Sequence, residues 1–241
     1  MDILLVGYGR MGKAIEKEAI QRGHRITGIF DADGECFTEQ QQLPPADVCI
    51  EFTTPQTAYK NCLHAINKEL PVVSGTTGWR DDVQKLQESI STSKSGTFFY
   101  ASNFSLGVNI LFELNRQLAR IMQKAPEYSV SLEETHHVHK LDAPSGTAIT
   151  LAEDIIKESP NLDGWVLAPN LDSHTLPIEA KRIGEIPGIH SIKWHSPVDE
   201  LTLSLEAFGR EGFALGAVLA AEYAVAHHGV LSMRMMLGFS D

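Results

Sequence analysis

The chain has 241 residues, 43% of them hydrophobic and 21% charged, enough to bury a sizeable core in one large domain or two modest ones. A formal charge of −11 and a pI near 5.3 oppose a phosphate backbone, and no Lys/Arg run interleaved with aromatics is present, so nucleic acid is not an expected partner. There is no basic-then-apolar leader and no apolar run of about eighteen residues, so export and membrane insertion are not expected and the chain reads as cytoplasmic.

The run "DILLV" (2–6) predicts a buried strand, and "KAIEKEAIQRG" (13–23) places Ala14, Ile15, Ala19 and Ile20 at helical spacing before a glycine stop. Between them stands "GYGRMG", Gly7, Tyr8, Gly9, Arg10, Met11 and Gly12. A G-x-G-x-x-G pattern alone is weak, because short glycine patterns arise by chance. Its context strengthens it: it leaves a strand and opens a helix, so the backbone can pass close to a pyrophosphate at the positive helix end. After the second predicted strand, "RITGIF" (25–30), Asp31 lies nineteen residues past Gly12, where a dinucleotide fold needs an acceptor for a ribose hydroxyl. Further strands are predicted at 47–52, 71–75 and 96–102, with helical patterns at 56–67 and 80–90. This alternation implies an α/β, doubly wound parallel sheet of Rossmann type. Cys36, Cys49 and Cys62 match neither a metal motif nor a disulfide framework and read as reduced structural thiols.

From about residue 105 the pattern changes. A long amphipathic helix (105–123) precedes a strand in which Tyr128, Val130 and Leu132 alternate. A helix at 147–158 and strands within 178–184, 189–195 and 200–207 follow, with no helix between the last two. Consecutive strands without crossovers imply a mixed or antiparallel sheet in a second, α+β domain. The tail, 211–230, is rich in small residues and predicts a helix that packs back on the first sheet. The expected division is 1–104 with 209–241 for the dinucleotide, and 105–208 for substrate and oligomerisation.

The densest chemistry lies in "ETHHVHKLDAPSGTA" (134–148). Pro144 fixes the approach, Ser145 can cap, and Gly146-Thr147 open the helix "TAITLAEDIIKE", leaving free N–H groups that suit a substrate carboxylate. Lys140 can add a full positive charge. Strand alternation would put His137 and His139 on one face and His136 on the other, with no second ligand pair in view, so no metal site is expected. His139 is open to either a core or a functional reading. His136 and Lys140 flank the anion turn and can exchange protons near neutral pH.

"GRMG" at the glycine turn, "DVCIEFTTP" (47–55), "SGTTGW" (74–79), "ASNFSLGVN" (101–109), the 134–148 segment and "GREGFALGAV" (209–218) occur in this order. Together they resemble the 4-hydroxy-tetrahydrodipicolinate reductase (dihydrodipicolinate reductase) family over nearly the whole chain. The resemblance implies that Gly7 to Gly12, Asp31, Gly75-Thr76-Thr77 and Ala101-Ser102-Asn103-Phe104 bind NADH or NADPH. It also implies that His136 and Lys140 are catalytic and that His137, Lys140, Ser145, Gly146 and Thr147 bind a cyclic dicarboxylate. A homotetramer built through the second-domain sheets is implied as well. Two departures stand out: the first loop is one residue shorter than the family's common G-x-x-G-R-M-G, and Leu205 stands where a histidine is common. In "GIFDADG", Asp31 and Asp33 have no adjacent Arg or Lys, so NADH is the expected preference, although Arg10 or Lys13 can reach toward a 2′-phosphate. Two rival readings are a non-enzymatic NAD-binding regulator, which leaves His136 and Lys140 idle, and a dehydrogenase for another substrate. A thioester-forming semialdehyde dehydrogenase would need a cysteine at the anion turn.

Overall fold

In a computed structural model that describes residues 1–31, 37, 42–170 and 174–239, the stretch Ile3–Val6 is buried throughout because both faces of β1 (Asp2–Val6) are covered. Ile3 and Leu5 face a core shared with α1 (Arg10–Gln21) and α6 (Glu211–Ala226). Leu4 and Val6 face a second core shared with α2 (Pro55–Asn67) and α3 (Arg80–Ser93). This two-sided burial is why the strand reads as a continuous apolar run. Each such fully buried Ile or Leu contributes about 1.5–3 kcal/mol relative to exposure. β2 (Arg25–Phe30), β3 (Val48–Glu51), β4 (Val72–Ser74), β5 (Thr97–Tyr100) and β11 (Gly229–Leu231) complete a parallel sheet in the order β11-β5-β4-β3-β1-β2. The chain passes from β1 to β2 on one side and returns to β3 on the other, so the crevice at their carboxyl ends is the topological switch point.

The tail departs from the expected single helix over 211–230. α6 ends at Ala226, and Gly229, at φ +90°, turns the chain so that Gly229–Leu231 pairs with β5 and Leu231 is buried. The small residues of α6 have a steric cause: a Cβ on Gly216 would stand 1.7 Å from the carbonyl oxygen of Phe104. A short α7 (Met233–Met236) follows β11.

Residues Met1–Leu106 with Arg210–Asp241 form one compact unit, and Gly107–Gly209 the other. The second unit holds a mixed sheet, β10-β9-β6-β8-β7, made of β6 (Ser129–His136), β7 (Gly164–Leu167), β8 (Thr175–Arg182), β9 (Gly188–His195) and β10 (Glu200–Ala207). β6 runs antiparallel to β9 and parallel to β8. β7 was not expected, and β8 starts three residues before the predicted range. One face packs Leu132, Leu176, Ile178, Ile192 and Trp194 against Leu111, Ala119 and Met122 of α4 (Leu106–Met122) and Leu151, Ala152 and Ile155 of α5 (Gly146–Glu158). The other face carries ion pairs of Glu133 with Lys181 and Lys193.

Among the described residues no helix is long and apolar enough to cross a membrane. Cys49 and Cys62 are free and buried, and burial pushes both thiols up. Cys36 and Asp33 lie outside the described residues.

Candidate functional site

At the switch point a cavity of about 410 Å³ is lined by Gly7, Tyr8 and Gly9 after β1, Phe30 and Asp31 at the end of β2, and Phe52, Thr53 and Thr54 after β3. That size suits a bound cofactor fragment. Gly7 is at φ +93°, and a Cβ there would meet the Phe52 carbonyl oxygen at 2.0 Å, so only glycine allows the two loops to approach. A Cβ on Gly12 would stand 2.3 Å from the Gly7 carbonyl oxygen, which makes Gly12 the contact that seats α1 under the turn. Arg10, the first residue of α1, is exposed, while Met11 packs into the core. Lys13 sits 5.7 Å from the centroid of the Tyr8 ring, and the Tyr8 hydroxyl donates to Glu16.

The remaining predicted cofactor loops follow β4 and β5. Their geometry rests on Glu51, at the end of β3 and fully buried. It accepts from the Thr53 N–H at 2.9 Å, the Ser74 hydroxyl at 2.6 Å, the Thr76 hydroxyl at 2.8 Å and the Thr53 hydroxyl. Thr76 is thus buried as a strut, with its Oγ1 also accepting from the Thr53 N–H at 2.8 Å, whereas Thr77 is exposed and Gly75 packs against the Phe52 ring. In the next loop Asn103 accepts from the Ser105 N–H at 2.9 Å, Phe104 is buried against Phe52 and Phe99, Ala101 is half-buried and Ser102 is exposed.

In the second unit, β6 turns Leu132, Glu134 and His136 to the interior. Glu134 is fully buried, with Oε2 2.9 Å from His136 Nδ1 and Oε1 accepting from the Ser145 N–H and Arg182 Nη2, both at 3.0 Å. Burial alone would raise this carboxyl, but His136, Ser145 and Arg182 together hold it at about 2. Arg182 also donates to the carbonyl oxygens of Lys140 and Asp142, at 3.3 and 2.6 Å, and so pins the loop that follows the strand. His190, the register partner of Glu134 on β9, lies 3.2 Å from the Ser145 hydroxyl. Burial first, then the charges of His136 and Lys140, push its imidazole down to about 4, so it stays neutral and can accept from Ser145. The Ser145 oxygen meanwhile caps α5 by accepting from the Ala148 N–H at 3.2 Å.

The predicted site residues separate by this geometry. His136, Lys140, Ser145, Gly146 and Thr147 are drawn together by the strand end, the Arg182-pinned loop and the helix start. Ser145 is buried with its hydroxyl and N–H committed, so the first-turn N–H groups of Gly146 and Thr147 are the donors that face outward. Lys140 Nζ lies 2.8 Å from both oxygens of Asp142, whose carboxyl it holds low. The strand ends at His136, so His137 and His139 sit in a turn, and the two-face assignment expected for the three histidines does not apply. His139 is exposed and paired with Glu185 at 3.1 Å, and its ring centroid is 6.0 Å from that of His137.

No local motif in the sequence marks Glu134, Arg182 or His190 for a role. The available signal was periodicity: β9 buries Gly188, His190, Ile192 and Trp194 in alternation, so His190 is a polar residue at an inward position. Glu134, His136 and His190 bring ligand-type atoms within 4.8 Å of one another, a grouping the sequence reading did not foresee. Arg182 and the Ser145 N–H occupy Oε1 of the carboxylate and supply compensating charge, which leaves Oε2 as the oxygen that faces His136 and His190. Leu205, at the position where a family histidine is common, pairs in register with His190 and, half-buried, packs against the core.

Residues 1–104 match the family model for the dihydrodipicolinate reductase N-terminus, and residues 107–237 match that for its C-terminus. A protein of Christiangramia forsetii named 4-hydroxy-tetrahydrodipicolinate reductase is 46% identical over 237 residues, covering 98% of each chain. One of Staphylococcus epidermidis with the same name is 33% identical over 92% of this chain and 94% of its own. A dipicolinate-bound dihydrodipicolinate reductase from Paenisporosarcina sp. TG-14 shares the fold, with a TM-score of 0.76 at 19% identity over 96% of this chain and 97% of its own.

Proposed function

The chain belongs to the dihydrodipicolinate reductase family, and from that membership we propose that it reduces 4-hydroxy-tetrahydrodipicolinate, by way of dihydrodipicolinate, to tetrahydrodipicolinate with NADH or NADPH in diaminopimelate and lysine biosynthesis. The observation that carries the chemical assignment is the segment from His136 to Thr147, where two proton carriers and two outward N–H groups share one strand, turn and helix start. A cyclic dicarboxylate needs both.

In this reading a domain of residues 1–104 with 209–241 holds the dinucleotide: Gly7 to Gly12 the pyrophosphate, Asp31 a ribose hydroxyl, and Gly75–Thr77 with Ala101–Phe104 the nicotinamide side. The glycine-only approach of Gly7 to Phe52 and the cavity beside Asp31 fit such a guest. Bound there, a reduced nicotinamide would supply a hydride for ring C4 of the substrate. Residues 105–208 hold the substrate, with Gly146, Thr147, His137 and Lys140 on its carboxylates. As charge moves toward the imine nitrogen, Lys140 and His136 act as the acids that collect it and protonate ring C3. Fixing both carboxylates keeps the accepting carbon in place.

The product of dihydrodipicolinate synthase, mixed with this protein and NADH or NADPH, should be consumed with loss of nicotinamide absorbance. Cofactor binding without turnover would point to a regulator, and turnover of a different acid would reassign the substrate. The second-unit sheets are proposed to assemble a cytoplasmic homotetramer; a stable monomer in sedimentation at micromolar concentration would remove that part.

A further inference from the structure

We propose that Glu134 is a positioning residue for the reduction: one buried carboxylate holds the proton donor His136 with one oxygen and the carboxylate-binding turn at Ser145 with the other. The inference rests on the reductase reading and deepens it. Glu134 Oε2 and His136 Nδ1 lie 2.9 Å apart as a buried ion-pair contact, and neither atom makes a hydrogen bond of regular geometry with any group. Oε1 is held by the Ser145 N–H and by Arg182, each at 3.0 Å. A carboxylate can only accept, so Nδ1 must carry a hydrogen, and Nε2 is the nitrogen left to meet the substrate. Gly188 makes room on that side, since a Cβ there would stand 3.0 Å from Nε2. The same carboxylate therefore sets the tautomer of the donor and the distance from the donor's strand to the start of α5, much as a carboxylate orients a histidine in other active sites.

Glu134→Gln tests this with little change of shape. Both partners of Oε1 are donors, so the amide oxygen must stay there and the amide NH₂ must face Nδ1. Nδ1 then becomes an acceptor, and the doubly protonated ring is disfavoured. The charged or titratable groups around His136 are Glu134 on β6, Arg182 on β8, His190 on β9, and Lys140 and Asp142 in the following loop. In Glu134→Gln, kcat at neutral pH should fall by about 10- to 100-fold, and the alkaline limb of its pH profile should move down by about one unit. The Kd for dipicolinate and the KM for NADH should change by less than about threefold. In a His136→Ala background the same substitution should move the profile no further.

A kcat profile that overlays the wild type, or loss of binding and turnover together with an unmoved profile, overturns the proposal, as does a shift that persists without His136. If the variant does not fold, ¹⁵N-histidine NMR of the wild type decides: Nδ1–H at His136 supports the hold, and an Nε2–H tautomer with bare Nδ1 refutes it. Failure of the reductase reading looks different. The wild type would then not turn over the substrate at all, while the tautomer measurement would still report on Glu134.

Discussion

Each unit buries a carboxylate on a strand, Glu51 on β3 and Glu134 on β6, both without exposure, and the two are partnered differently. Glu51 takes neutral donors: the hydroxyls of Thr53, Ser74 and Thr76, the Cys62 thiol and one backbone N–H. Glu134 takes an imidazole, a guanidinium and one backbone N–H. Neutral donors satisfy a buried charge and lock loop geometry, but they add no proton that can move near neutral pH. Ionisable partners do both. The contrast matches the division of labour proposed for the two units: one must shape a site for a cofactor that brings its own hydride, while the other must hold an anion and manage a proton.

The largest effect that can break this contrast lies in the second unit. Lys140→Ala should lower turnover by about two to four orders of magnitude, and His136→Ala similarly, with NADH binding nearly intact. Steady-state rates at saturating substrate check this, and a variant that keeps a third of wild-type turnover removes that residue from the acid role. In the first unit, Glu51→Gln places an amide NH₂ among donors and should cost about 1–3 kcal/mol of stability. It should raise the KM for NADH yet leave the pH profile of kcat where it was. Denaturant melts and a pH series separate it from Glu134→Gln, and a moved profile would erase the distinction between the two carboxylates. The smallest expected effect is cofactor choice. Asp31 lines the cavity, so kcat/KM should favour NADH over NADPH by about tenfold, on the scale of one charged hydrogen bond. The preference should shrink in Asp31→Ala. A clear NADPH preference at matched ionic strength would instead assign selectivity to the basic residues of the glycine loop.

What was legible in the sequence was local. The run Ile3–Val6, the glycine turn with its helix, and the crowding from Glu134 to Thr147 each act over a few residues, so periodicity and spacing expose them. β11 was hidden because Gly229–Leu231, only two histidines past a small-residue helix, is too short to show a period of its own, and pairing with β5 makes it a strand. β7 is similarly short, at four residues, and among the described residues pairs with β8 alone. The turn from His137 looks like strand in the sequence because alternation persists in the letters after the ladder stops at His136. Arg182 and His190 escaped because their relation to Glu134 is a cross-strand register set by chain segments about fifty residues away, which one sequence does not encode in any local pattern.

The most direct test of the division between the units follows the hydride itself. With 4-deuterated NADH of the transferable configuration, the wild-type protein should yield tetrahydrodipicolinate carrying deuterium at ring C4 and none at C3, because C3 takes its hydrogen as a proton through the His136 and Lys140 side of the site. Deuterium at C3, or deuterium released to water during turnover, would contradict the account.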